Sequence, residues 1–322
     1  MDRRQFIRTG IATAAALGLA GPELLASDST DTRAGRREFR EEYERWEREH
    51  RGPLKLRFLG TGAADWKGPD KRGEHRRLSS ILLDDFLLVD FTASSLDMIP
   101  PGKSITTIFY THSHGDHFDP GAALRLGIRK AYLSETWAGR AADAFRKASL
   151  ATGVPEPEII PLGIGHKVAV SIPGQDGTIW MTALPANHAT ADVREQSLIY
   201  LIEKEGTRLL YATDTGGITS VAARLAHIDS HKKDTVPITA LIMEATMGME
   251  GDEDFRLFTH SSVGTVARTA AVLQKTGCYS PRPGQPVYLT HMARTLHGTQ
   301  EELDSGLPLP LRAAYDGLEI SA

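Results

Sequence analysis

Four stretches of the chain share one pattern, a run of five to seven branched, aromatic or aliphatic residues that leads into a histidine or an aspartate. Residues 105–111 (ITTIFYT) run into His112, and residues 208–213 (RLLYAT) end at Asp214. Residues 178–184 (TIWMTAL) reach His188 through Pro185, Ala186 and Asn187, and residues 286–290 (PVYLT) end at His291. Runs of this length and composition, closed by turns bearing Gly or Pro, predict buried strands. After the first run, Asp119, Pro120 and Gly121 predict a turn, and Ala122, Leu124, Leu126 and Ile128 a short helix. A strand, loop and helix in that order predict an α/β protein whose strand ends hold side chains in a fixed array.

The N-terminal quarter is patterned differently. Residues 36–51 alternate Arg and Glu around Phe39, Tyr43 and Trp46, whose spacing of four and three places the aromatics on one helical face. This predicts an amphipathic helix tethered to the domain surface, with contact to a second subunit in a homodimer as its alternative role. Gly52 and Pro53 end it. Ahead of it, Arg3, Arg4 and Phe6, the weakly apolar residues 11–20, and small residues near Ala20 and Ala26 resemble a twin-arginine export signal. That route carries proteins that fold and take up cofactor before crossing a membrane. The expectation is therefore a signal peptide over 1–26, a charged helical linker over 27–53 and a folded domain over 54–322. The protein would be exported, periplasmic or extracellular, with the twin-arginine machinery as a partner.

Composition narrows the function classes. At 322 residues, 41% hydrophobic and 24% charged, the chain can bury the core of one large domain or of two pseudo-symmetric halves. A net charge of −4 excludes nucleic-acid binding driven by bulk positive field, and no basic arm with interleaved aromatics is present. A small-molecule substrate is expected, with phosphate recognition, if any, confined to a local site. The single cysteine, Cys278, excludes an intrachain disulfide.

The residues after the first strand carry the chemistry. His112-Ser113-His114-Gly115-Asp116-His117 places four metal-competent side chains in six positions of a chain with 12 histidines, too dense for a surface loop that is His-rich by chance. Imidazole and carboxylate donors suit zinc and its neighbours in the transition series. His112 and His114 can hold one ion, Asp116 and His117 can begin a second site, and Gly115 is expected to relieve the backbone between them. One hexapeptide cannot close two sites, so further ligands are expected at other strand ends, where His188, Asp214 and His291 stand.

In this hexapeptide and in the order of the later ligands, the chain resembles the metallo-β-lactamase superfamily. The resemblance implies a four-layer αββα sandwich, over about residues 54–322, with a dinuclear metal site along one edge of its sheets. It further implies that His112, His114 and His188 hold one metal, that Asp116, His117 and His291 hold the other, and that Asp214 bridges them. Residues 56–64, Ser79 and Ser80, residues 87–90, Glu244-Ala245-Thr246, Thr259-His260-Ser261 and residues 314–318 resemble two phosphodiester-cleaving relatives. These are the phosphoribosyl cyclic phosphodiesterase of phosphonate breakdown and the endonuclease that trims tRNA 3′ ends. The cysteine-rich zinc site of the former has no counterpart in residues 65–73, so that structural zinc is not expected.

Two metals sharing Asp214 can share a water, lower its pKa and polarise a phosphoryl or carbonyl oxygen. His260, Asp116 and Glu244 are the candidate catalytic residues: the resemblance places His260 beside the metals to protonate a leaving group, with Glu244 orienting it. The expected activity is that of an exported dinuclear phosphodiesterase on a small phosphodiester, cyclic ones included, with two divalent ions, zinc before manganese or iron, as cofactors. A lactonase- or β-lactamase-like carbonyl hydrolase and a non-catalytic metal-dependent binding protein are the alternatives. His297 and Arg294 are expected at the cleft rim or in solvent. His166, His227 and His231 receive no role, and Gly60-Thr61-Gly62 is expected to form a tight turn.

Overall fold

The computed structural model describes residues 45, 49, 51–228, 231, 234–249 and 255–322. The leader over 1–26 and the linker helix, with Phe39, Tyr43 and Trp46, lie outside the described residues.

Among the described residues, fourteen strands form two sheets. The first sheet contains β1 (Lys55–Gly60), β2 (Ser80–Leu83), β3 (Leu87–Val89), β4 (Thr107–Phe109), β5 (Lys130–Ser134), β6 (Glu158–Leu162) and the last strand, β14 (Glu319–Ser321). The second contains β7 (Lys167–Ser171), β8 (Thr178–Pro185), β9 (Leu198–Lys204), β10 (Thr207–Ala212), β11 (Ala240–Glu244), β12 (Val287–Thr290) and β13 (Leu311–Ala313). In space the first runs β14-β1-β2-β3-β4-β5-β6, with three antiparallel pairings followed by three parallel ones. The second, read from β7 to β13, repeats that succession. The two pseudo-symmetric halves thus share one topology, and β14 returns from the far end of the chain to complete the first.

Alternation along the strands builds the layers. Leu56 and Phe58, Ile81 and Leu83, Leu87 and Val89 face Met181 and Ala183, Tyr200 and Ile202, Leu209 and Tyr211 across the inter-sheet core. The intervening Leu59, Leu82, Leu88 and Ile108 point outward, under α1 (Pro120–Leu126) and α2 (Ala138–Thr152). On the other sheet Ile199, Leu201, Leu210, Leu241 and Met243 pack toward α3 (Ser220–Leu225) and α4 (Val263–Lys275). The result is the αββα sandwich. Each fully buried aliphatic or aromatic side chain contributes about 1.5–3 kcal/mol.

The helix after the hexapeptide forms as its sequence predicts. Asp119 Oδ1 accepts from the Ala122 amide at 2.9 Å, Pro120 opens the helix, and Gly127 closes it at φ 83°. The glycines of 60–62 do not make a tight turn. The chain runs on past β1, and Gly62 forms parallel bridges to both Leu78 and Met292, joining the two sheets. A Cβ at Gly60 would lie 2.0 Å from the Leu78 carbonyl oxygen, so this glycine is required by close backbone approach.

Strands β3 and β4 run parallel, as do β10, β11 and β12, so the C-terminal ends of each set share one edge of their sheet. At those ends Asp90 (φ 54°), Asp214 (φ 46°) and His291 (φ 51°) each adopt the left-handed conformation on leaving β3, β10 and β12. Each bends the chain there, and the three side chains contact His117, which follows β4.

Candidate metal centre

All seven sequence-predicted ligands meet at this edge. His112 Nε2 lies 2.9 Å from His114 Nδ1, which lies 3.2 Å from His188 Nε2. Beside them, His117 Nε2 lies 3.2 Å from His291 Nε2, and Asp116 Oδ2 lies 3.3 Å from both. Asp214 spans the groups: Oδ2 is 2.7 Å from His117 Nε2 and 3.2 Å from His291 Nε2, while Oδ1 reaches 4.0 Å from His188 Nε2.

The remaining ring nitrogens show how these rings are oriented. Thr111 Oγ1–H donates to Asp90 Oδ2 at 2.7 Å, so its oxygen accepts from His112 Nδ1–H at 2.9 Å. His117 Nδ1–H donates to Asp90 at 2.8 Å, and His188 Nδ1–H donates to the Thr259 carbonyl at 3.2 Å. Thr246 Oγ1–H donates to Glu244, and the Thr246 oxygen accepts from His291 Nδ1–H at 2.8 Å. Four imidazoles are thereby oriented through Nδ1, with their Nε2 atoms directed at common points. The ring nitrogens of His112, His114 and His188 face one another as three ligand atoms that one cation could share. Their separations are close to the roughly 3.3 Å edge of a tetrahedron with 2.0–2.1 Å metal–nitrogen bonds. The donor set fits divalent metal.

The electrostatics agree. Burial, with His117 beside it, drives the His112 pKa well below that of free imidazole, and burial with the nearby His260 lowers that of His188. Both are held in the neutral, ligating form. Burial alone would raise Asp116 and Asp214, but positive charge at His117 for the first, and at His291 and His117 for the second, keeps both carboxyls far below their usual range. Burial opposes charge on His117 too, yet Asp214, Asp116 and Asp90 raise its pKa well above normal. Negative charge concentrated around a buried nitrogen is the environment a divalent cation favours.

His260 adjoins this cluster without a place in either triad. Its Nδ1–H donates to both Glu244 oxygens at 3.1 Å and lies 3.5 Å from Asp214 Oδ1. Burial lowers its pKa, but Glu244, by charge and hydrogen bond, with Asp214 and Asp116 behind it, outweighs burial and lifts it to about 9. Glu244 is fully buried and is further held by the Thr215 amide and Thr246.

Residues 88–292 match the sequence pattern described as "Beta-lactamase superfamily domain". The chain belongs to the metallo-β-lactamase superfamily. Similar solved folds include the short form of human tRNase Z, at 19% identity and a TM-score of 0.54 over 83% of this chain and 98% of that one. Zn(2+)-bound PqqB from Methylobacterium extorquens superposes at 17% identity and 0.55, over 83% and 100% of the two chains. Unliganded yeast PDE1 does so at 10% identity and 0.54, over 84% and 99%. No curated protein sequence gives a significant match.

Within this metallo-β-lactamase fold several details depart from the sequence expectations. Gly115 relieves no crowding, since a Cβ there would meet nothing within 4 Å. His297 is half-buried and donates Nε2–H to the Ala245 carbonyl at 2.6 Å. Arg294, partly exposed as expected, is tied to the Pro69 carbonyl at 2.7 Å. Around the 63–76 loop, Trp66 Nε1–H donates to Met292 O at 2.8 Å and Arg72 donates to His297 O at 3.1 Å. Asp90 was visible only as an acid closing an apolar run, the same signal that marked Asp214. Glu195 gave no signal, because an acid in Asp192-Val193-Arg194-Glu195 reads as a solvated loop residue.

Proposed function

We propose that this protein is a dinuclear metal-dependent hydrolase that cleaves a small phosphodiester, cyclic ones included. The supporting observation is the His260–Glu244 pair. The alkoxide that leaves a phosphodiester must be protonated or neutralised, and carbonyl hydrolysis by a metal hydroxide can rely on other groups at that position. His260, hydrogen-bonded through Nδ1 to a buried carboxylate and adjacent to Asp214, is suited to that task. Among the similar folds, one is named a tRNase and one is Zn(2+)-bound, which is consistent with this reading.

In the proposed arrangement His112, His114 and His188 would hold one ion and Asp116, His117 and His291 the other, with Asp214 available to both. Zinc suits the nitrogen-rich donor set, and manganese or iron are accepted by the same ligands. Two such ions supply a nucleophile from water near neutral pH and offset charge on the phosphoryl oxygens. The chain's own contribution is orientation. Asp90 and Thr111 fix His117 and His112, Thr246 fixes His291, and Glu244 holds His260 with one N–H committed and the other nitrogen free to deliver a proton. Asp116 supplies a carboxylate to the same cleft.

The test is metal analysis of the purified protein together with turnover of bis-p-nitrophenyl phosphate, a cyclic nucleotide, a lactone and nitrocefin. Two ions per chain are expected, with turnover of phosphodiesters. His260→Ala should lower that rate by about 10²- to 10⁴-fold while metal content is kept. Turnover of carbonyl substrates alone would refute the assignment, and absence of all turnover in the metal-loaded protein would favour a binding role. We further propose export by the leader. Arg3→Lys with Arg4→Lys should leave the protein in the cytoplasm, and unchanged export would refute it.

A further inference from the structure

The first three ligands come from only two segments of chain. His112 and His114 flank Ser113 in the hexapeptide loop, and His188 opens the loop that joins β8 to β9. Seven residues after His188, that second loop returns to the first through Glu195. Its Oε1 accepts from the Ser113 amide at 2.8 Å and its Oε2 from the Ser113 hydroxyl at 2.6 Å. Arg140 Nη2, at the start of α2, donates to the same Oε2 at 2.6 Å. The Glu195 side chain is fully buried, and the guanidinium compensates its charge. The Glu195 backbone is pinned in turn, its amide donating to Asp192 O at 2.8 Å and the next amide, of Gln196, to Thr136 Oγ1 at 2.9 Å.

The three neighbours of this carboxylate are all donors, so two oxygens are needed. A glutamine of the same shape offers one acceptor and one NH2 group, and the NH2 must face either the Ser113 amide or Arg140 and Ser113 Oγ. One loop has to move. His117 and His291 are set instead by Asp90 and Thr246.

We propose that Glu195 is a positioning residue for the His112–His114–His188 triad, fixing the spacing between its two segments and so setting the affinity of that site independently of its neighbour. This rests on the two-ion reading above.

The test is stepwise competition of zinc-free full-length protein with a chromophoric chelator for Zn2+, and a parallel Co2+ titration read by its d–d absorption. Wild type should take up two ions. Glu195→Gln should weaken one of them by about 10- to 100-fold and leave the other unchanged, with one component of the Co2+ spectrum altered. Ser113→Ala, which keeps the buried carboxylate paired with Arg140, should weaken the same ion to a smaller degree and serves if Glu195→Gln does not fold. Asp143→Asn, which alters only an exposed carboxylate paired with Arg146 on α2, should leave both affinities as they are. Equal weakening of both ions, or of neither, would overturn the proposal. Should wild type bind a single ion, the two-ion reading falls, and the role of Glu195 stands or falls on whether Glu195→Gln weakens that ion.

Discussion

His297 offers a direct check on the burial seen beyond the metal edge. Its Nε2–H bond to the Ala245 carbonyl requires only the neutral ring, and burial, with Arg76 adding to it, pushes the pKa down to about 4. In the unfolded chain the ring titrates near the ordinary 6.5. The unfolded state therefore binds more protons between these values, so stability contributed above 6.5 is lost as pH falls toward 4. At about 1.4 kcal/mol for each tenfold change in proton affinity, the full gap amounts to about 3 kcal/mol, of which about 2 kcal/mol lies between about pH 7 and about pH 4.5. His297→Gln keeps an N–H donor and removes the titration. Urea unfolding of the chelator-treated wild type and variant at both pH values isolates the effect, because the ligand histidines titrate in both proteins and cancel. The wild type should lose about 2 kcal/mol more than the variant on acidification. Parallel loss would refute a neutral His297.

Two further substitutions probe the edge. Asp90→Asn places an NH2 group against the donors on Thr111 or His117, and should weaken metal binding by about 10- to 100-fold in chelator competition; unchanged affinity would mean that Asp90 does not orient His117. Gly216→Ala sets a Cβ 2.7 Å from the Phe258 backbone, two residues before His260. It should cost about 1–3 kcal/mol in stability and lower kcat with metal content retained, whereas wild-type turnover would show that this turn does not position His260.

The strand-then-ligand pattern made the edge legible, because a run such as 208–213 and the acid after it are local features that survive folding intact. The helix at Pro120–Leu126 was legible for the same reason, its cap and its glycine stop both being written in adjacent residues. Strand partners were not. Nothing local to residues 319–321 says that they pair with β1, or that the pairing order of one sheet repeats in the other. The hidden contributors were Glu195, whose role depends on a contact with Ser113 across 82 positions, and Thr111 and Thr246, whose hydroxyls orient rings while reading as ordinary strand residues. Glycine misled in both directions: Gly115 has open space, while Gly60 is pressed against the backbone of Arg77 and Leu78 and Gly62 against Trp66 and Arg76.

The left-handed backbone at Asp90, Asp214 and His291 bears on how this protein ages. A side chain in that region costs about 1–2 kcal/mol relative to glycine, somewhat less for the two aspartates than for the histidine. The chain accepts the cost at three strand ends along its functional edge. Bound cations would offset that cost through ligand bonds, and their loss would leave a strained frame. Chelator-treated protein is then expected to unfold faster than the metal-loaded protein, so that the lifetime of the folded chain would follow how slowly its ions leave.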